Sequence, residues 1–327
     1  MQPFFRRLLL ALLLGVAVYG AFVLYTGYQQ LGAALTSYSW WTFVGALGLA
    51  SFNYGLRFLK WQYYLARLEI RGVSPVDSLL VFLSGFVLTV TPGKLGEVFK
   101  SAVLQQTHGV SAARTAPIVV AERLTDVVAI VLLVLLGSLG FDGGLPWAAA
   151  GAAAVACGLI MILWRAPLEV AIAWMERRPG VWQRLAPRLR EAGESLRLLA
   201  SPATLIWPTL LSLVGWGAEG IALWWILEGF GAEVSLPLAV FFYATATLAG
   251  ALIPVPGGLG VAEGLLQSQF IQLGGVAPGP ATASMLLIRL ATLWWAVVVG
   301  FVALGILRGR YPALLGGPRP GLAQPEL

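Results

Sequence analysis

The chain has 327 residues, 58% of them hydrophobic and only 11% charged. A soluble domain carries about 25% charged residues, so this composition excludes an ordinary water-soluble fold and points to a bilayer. The net charge of +6 would suit a nucleic-acid binder, but the basic residues lie between apolar runs, where they orient a membrane protein instead.

In chain order, Arg6 and Arg7 precede an apolar run from Leu8 to about Tyr25. The run is longer than the roughly 7–15 residues of a signal-peptide core, and no small-x-small cleavage site follows. It is expected to be the first span. A crossing needs about 20 apolar residues, and further full spans are expected at 41–65, 117–139, 146–164, 204–228 and 281–307. Two more apolar segments, 78–91 and 237–253, each run into a Pro-Gly break and are followed by short helical segments at 96–107 and 261–273. Proline removes a backbone donor and glycine relaxes the dihedrals. Freed backbone groups survive at membrane depth only where protein or water shields them. Two re-entrant or broken hairpins are therefore expected, with full crossing of each as the alternative. The single histidine, His108, is expected in a solvated loop. The single cysteine, Cys157, allows no intrachain disulfide and no cysteine-based metal site.

The segments 26–40, 140–145, 229–236 and 275–280 read as outside loops and contain no Lys or Arg. The basic residues of the loops then fall inside, so both termini are expected in the cytoplasm, and the chain is expected in a bacterial cytoplasmic (inner) membrane. The inside segment 165–203 mixes arginines with Trp174, Trp182, Leu185, Leu189 and Leu196, and reads as interfacial helices on an anionic lipid surface. The tail 311–327 is rich in Pro and Gly and is expected to be disordered.

The two halves match. Each reads span, span, broken hairpin, span, over 1–140 and 141–310. Pro92-Gly93-Lys94-Leu95-Gly96-Glu97 is echoed by Pro256-Gly257-Gly258-Leu259-Gly260 with Glu263 beyond it. Glu97 and Arg123 are 26 residues apart, as are Glu263 and Arg289. Three full crossings per half invert the second half relative to the first, a construction common in alternating-access transporters. The expected fold is an all-α polytopic membrane protein of about six full helices plus two broken hairpins, arranged as an inverted-topology repeat.

Ionisable residues inside a bilayer are costly and mark partners or pathways. Asn53, Arg57, Lys60 and Tyr64 recur at helical spacing and share one face. Either they line a headgroup pocket or the two cations snorkel to the interface. Lys94 beside a helix start would attract phosphate or carboxylate. Glu97 with Arg123 is either a structural clamp or a substrate contact. Asp126 is expected to pair with Arg123 or a basic residue of the second span, and Glu122 to join an ion-pair network. Glu219 lies mid-span and must be protonated or paired, with Arg289 as the expected partner. The substrate-binding set is thus Arg57, Lys60, Lys94, Glu97, Arg123, Asp126, Glu219, Glu263 and Arg289. No metal spacing, nucleophile motif or phosphate loop is present, so no catalytic residue and no cofactor is expected.

The strings PGKLGEVFKSAVL, ERLTDVVAIVLL and PVPGGLGVAEGLL, in that order, resemble the lysylphosphatidylglycerol synthase transmembrane-region family over roughly residues 5–308. The matching positions are Pro92, Gly93, Gly96, Glu97, Glu122, Arg123, Asp126, Pro256, Gly257, Gly258, Gly260 and Glu263. The resemblance implies a bundle with broken helices that moves a polar-headgroup or isoprenoid-type lipid between leaflets. Bifunctional members carry a C-terminal aminoacyl-transferase domain that these residues do not contain, so no synthase activity is expected. Length and tryptophan content favour a hopanoid-associated member. Two alternatives stay open: a carrier of a small water-soluble anion, and a non-transporting accessory subunit bound to lipid-biosynthesis enzymes.

Overall fold

The computed structural model describes residues 2–91, 96–139, 181–253 and 255–314, with a few isolated positions between 146 and 177. Every regular element among them is helical. In order they are α1 (Gln2–Thr26), α2 (Tyr28–Thr36), α3 (Trp40–Arg67), α4 (Pro75–Ser84) running into a 3-10 turn (Gly85–Leu88), α5 (Gly96–His108) and α6 (Ala112–Ser138). There follow α7 (Val181–Leu199), α8 (Pro202–Glu228), α9 (Leu236–Leu252), a 3-10 turn (Pro256–Gly258), α10 (Val261–Gln272) and α11 (Pro278–Arg289). A π-helical stretch (Leu290–Trp294) leads from α11 into α12 (Trp295–Arg310). Ala203–Glu228 and the continuous rod Pro278–Arg310 are long and apolar enough to cross a bilayer. The span expected at 146–164 lies almost wholly outside the described residues.

Local chemistry sets the helix starts. The Ser74 hydroxyl accepts from the Asp77 N–H at 3.1 Å and Pro75 occupies the first turn, so α4 begins there. The expected loop at 26–40 is instead largely helical. Gly27, at φ 90°, turns the chain, and α2 then places Leu31 and Ala34 against Ala283 of α11. Two apolar contacts on one face suffice to hold a short helix that its length alone would not. Tyr25, Tyr28, Trp40 and Trp41 stand exposed around the α1–α2–α3 junctions.

The halves are interlocked. The most extensive helix pair is α3 along α8. The far part of α6, with Ile130, Leu133 and Val134, enters the core built by α8–α11. Reciprocally α12, with Ala303, Leu304 and Leu307, enters the core built by α3–α5. Glycine permits both crossings. A Cβ on Gly137 would come within 2.8 Å of the Pro237 carbonyl, and one on Gly300 within 2.6 Å of the Val87 backbone nitrogen.

The segment 165–203 is more than a lipid-facing layer. Its described helix, α7, packs along α6 and buries Ala186, Ser195 and Leu199, and the Ser111 hydroxyl donates to Glu191 at 3.0 Å. Nor does the expected disordered tail begin at 311. The Tyr311 hydroxyl donates to Asp77 at 3.2 Å and Leu314 is buried. His108 is likewise not a solvated loop residue: it ends α5 with its ring 3.8 Å from Asp77 and against Tyr311. Arg310 adds an ion pair to Asp77 at 3.0 Å, although its exposure makes that pair weak.

Two measurements follow from this packing. Gly300→Ala should cost about 1–3 kcal/mol through overpacking against backbone, whereas Gly305→Ala, where a Cβ meets nothing within 4 Å, should be neutral or mildly stabilising. Thermal unfolding in detergent reads the difference. Desolvation, and next the Asp77 carboxylate, raise the Tyr311 hydroxyl above its ordinary 10.0. The folded state then holds that proton more tightly than the unfolded chain, so the contact is intact below pH 10 and weakens as pH rises through the raised value. Stability measured above pH 10 should accordingly fall more steeply in the wild type than in Tyr311→Phe.

Candidate functional site

The polar stripe on α3 faces inward. Asn53 and Lys60 are each 1% exposed and Tyr64 is fully buried. Lys60 therefore does not snorkel. Its Nζ lies 2.7 Å from Asp126 Oδ1 on α6, 2.7 Å from Ser212 Oγ on α8 and 3.0 Å from Thr125 Oγ1. The expected pairing of Asp126 with a basic residue of the second span is what the structure contains. Arg57, half-buried, holds its guanidinium 5.2 Å over the Phe86 ring.

One turn along α6 from Asp126, Glu122 receives Lys100 of α5 at 2.5 Å. Lys100 is 3% exposed and its ammonium also lies 4.5 Å from the Trp61 ring. Residues four apart on a helix share a face, so α6 presents two carboxylates to two lysines from different helices. Arg123 stands half-buried between these carboxylates in sequence, within electrostatic reach of Asp126 and Arg57. Removing one partner from a buried pair costs about 3–5 kcal/mol, so α3, α5 and α6 are held in register by these contacts.

Glu219 on α8 does not meet Arg289. Its Oε1 accepts from Asn53 Nδ2 at 2.6 Å and its Oε2 from the Tyr243 hydroxyl of α9. The tie runs from α3 through α8 to α9. A glycine makes room for it: a Cβ on Gly215 would collide with Asn53 Oδ1 at 2.2 Å. Tyr243 was not anticipated, because a tyrosine in an apolar hairpin arm has no periodic signature.

Arg289 serves the second breaker instead. Its Nε lies 2.6 Å from Glu263 Oε1 and its Nη2 donates to the Gly257 carbonyl at 2.6 Å. Glu263 Oε2 in turn accepts from the Gly260 N–H at 2.7 Å, capping α10. Gly257, Gly258 and Gly260 have φ of 61°, 70° and 85°, a region costly for any side chain. Gly258 also lies so close to Gly250 of α9 that a Cβ would sit 3.1 Å from its Cα. One arginine thus secures both the break and the helix after it. Beyond the break, the π-helical stretch leaves the Thr292 carbonyl able to accept from the Tyr54 hydroxyl at 2.8 Å, joining α3 to the last span. In the first half, Gly96 opens α5, while Pro92, Gly93, Lys94 and the Glu97 side chain lie outside the described residues, and with them the expected Glu97–Arg123 pair.

These observations define a polytopic helical membrane protein with a buried ionic centre and a latched break in one hairpin. Comparison with known proteins gives the family. The chain belongs to the lysylphosphatidylglycerol synthase transmembrane-region family, whose model matches residues 9–300. It is 24% identical over 271 residues to the UPF0104 membrane protein PH1989 of Pyrococcus horikoshii, covering 74% of this chain and 80% of that protein. It is 24% identical over 218 residues to the UPF0104 membrane protein MJ1078 of Methanocaldococcus jannaschii, covering 66% of this chain and 92% of that one. A UPF0104 membrane protein of Methanothermobacter thermautotrophicus is 28% identical over 123 residues, and there the match spans only 37% of this chain and 36% of the relative. All three relatives are archaeal, so the expected bacterial setting finds no support in them.

Arg289→Ala should unfold the second break locally. Arg289→Lys, which keeps the charge but not the two-pronged donor, should preserve Glu263 pairing and lose the Gly257 contact. Hydrogen exchange over 256–264 is expected to rise strongly in the first variant and modestly in the second, and equal protection in all three proteins would count against the latch.

Proposed function

We propose that the protein carries a lipid between leaflets, passing its polar headgroup along the buried ionic centre while the chains stay in the bilayer. The observation that carries this reading is a set of buried charges on α3, α5 and α6 that Ser212 of α8 joins: Lys60, Lys100, Glu122 and Asp126 are each at most 3% exposed. Ionisable groups are expensive to bury in a bilayer and mark partners or pathways there. The reciprocal insertion of α6 and α12, each into the other half's core, supports the inverted-repeat reading, because a two-fold relation in the membrane plane generates such paired contacts. The family description supports a lipid as cargo. On this reading both termini are cytoplasmic, the first hairpin opens toward the cytoplasm and the second toward the outside.

The two breaks are not equivalent. The second carries Gly258 where the first carries Lys94. A cationic first break and a neutral second one suit a headgroup recognised mainly from the cytoplasmic side. Arg57, Lys94 and Arg123 form the proposed entry, and Glu263 with Arg289 the exit latch.

The test is leaflet exchange of fluorescent lipids in proteoliposomes, comparing anionic phospholipid, aminoacylated phospholipid, polyprenyl-phosphate and hopanoid analogues. One class should exchange faster than in protein-free vesicles. Arg123→Ala and Glu97→Gln should each slow it about tenfold or more, equivalent to about 1.4 kcal/mol in barrier. Wild-type exchange in folded Arg123→Ala and Arg289→Ala would remove the basis of the proposal. Exchange of no class would favour the accessory-subunit alternative, which stoichiometric co-purification with a lipid-synthesis enzyme then tests.

A further inference from the structure

The environment of Lys60 is unlike that of the other buried lysine. Lys100 meets one carboxylate oxygen and the faces of Trp61 and Phe82. Lys60 meets oxygens on several sides: Asp126 Oδ1 at 2.7 Å, Ser212 Oγ at 2.7 Å, Thr125 Oγ1 at 3.0 Å and the Glu122 carbonyl at 3.3 Å. The two hydroxyls direct their own protons elsewhere. Ser212 donates to Asp126 Oδ1 at 2.9 Å, and Thr125 donates to backbone carbonyls of its own helix at 2.9 and 3.1 Å. A hydroxyl has one proton and two lone pairs, so both present lone pairs to Nζ. The shell around Nζ is therefore composed of acceptors, carries one negative charge and draws on α6 and α8, while α3 supplies the lysine itself. That is the chemistry of a site for a small monovalent cation, with carboxylate, hydroxyl and carbonyl oxygens as ligands.

We propose that Lys60 is a tethered occupant of a monovalent-cation site, its ammonium standing where a sodium or potassium ion would otherwise join the first half to the second. The oxygens of α6 and α8 converge on one point, and an ammonium is close to potassium in size. A covalently attached cation cannot dissociate, so the junction of α3, α6 and α8 is held without drawing on the sodium or potassium concentration on either side. The inference is independent of which cargo the protein moves.

The test replaces the tethered cation by a free one. Full-length Lys60→Ala is purified in choline chloride, and its unfolding midpoint is followed as choline is exchanged for lithium, sodium or potassium at constant ionic strength. At about 100 times the dissociation constant, one of these ions should raise the midpoint saturably by about 5–10 °C. The wild type, whose site is filled, should show no selective rise, and neither should Lys60→Ala/Asp126→Asn, which lacks the carboxylate. If Lys60→Ala does not survive purification in choline, its yield of monodisperse protein is compared after extraction in each salt, and recovery in a metal salt alone supports the site. A folded Lys60→Ala indifferent to all three ions, a response that persists in the double variant, or failure to recover in any salt would overturn the proposal.

Discussion

A charge carried out of water must find its counter-charge or a full set of hydrogen-bond partners, and this requirement organises the whole interior. Hydrophobic burial does not pull membrane helices together as it does in water, because lipid is as apolar as a leucine side chain. Register has to come from close packing and from polar contacts. Here Lys60 and Lys100 fix α3 and α5 against α6, Glu219 fixes α8 between α3 and α9, and Arg289 fixes the last rod against the second break. Slip any of these helices by one residue and a buried charge loses its partner. The glycines at 137, 215 and 300 complete the same arrangement from the steric side, admitting backbone or amide where any side chain would separate the elements.

Much of this was legible along the chain. Helix boundaries follow the apolar runs and their Pro, Ser and Gly punctuation, so most predicted spans agree with the observed helices within a few residues. The Glu263–Arg289 spacing and the inward face of α3 also carried over. What the sequence left open lies across the chain. Depth along a helix can be counted from its end, but the angle at which one helix faces another cannot. Glu219 and Arg289 lie at plausible depths for each other, yet Arg289 turns to Glu263 and the Gly257 carbonyl. The groups that serve Glu219, Asn53 and Tyr243, are neutral and leave no charge pattern to find. The helix α2 was missed for a different reason: its nine residues gain their stability from Ala283, some 250 positions away.

The two halves of the chain differ in chemistry. Among the described residues, the first holds a dense centre of ionisable groups on α3, α5 and α6, while the second has neutral donors around Glu219 and the Arg289 latch at its break. One end of the bundle is restrained in a further way: Asp77 gathers Tyr311, His108 and Arg310 where the start of α4 meets the ends of α5 and α12, so these three helices are tied together there.

The length of α3 has a consequence for the surrounding lipid. Its 28 residues rise about 42 Å at 1.5 Å per residue, against a hydrocarbon core of about 30 Å. The exposed Trp40 and Trp41 at one end and Arg67 at the other are anchors that prefer the two interfaces. Satisfying both requires the helix to tilt or the membrane to thicken beside it. Because α3 is tied to α5, α6 and α8 by buried charges, it cannot tilt alone, and the whole bundle leans with it. Bilayer thickness thus acts on the spacing of the ionic centre through this helix, and short-chain lipids would press on it where longer ones would leave it at rest.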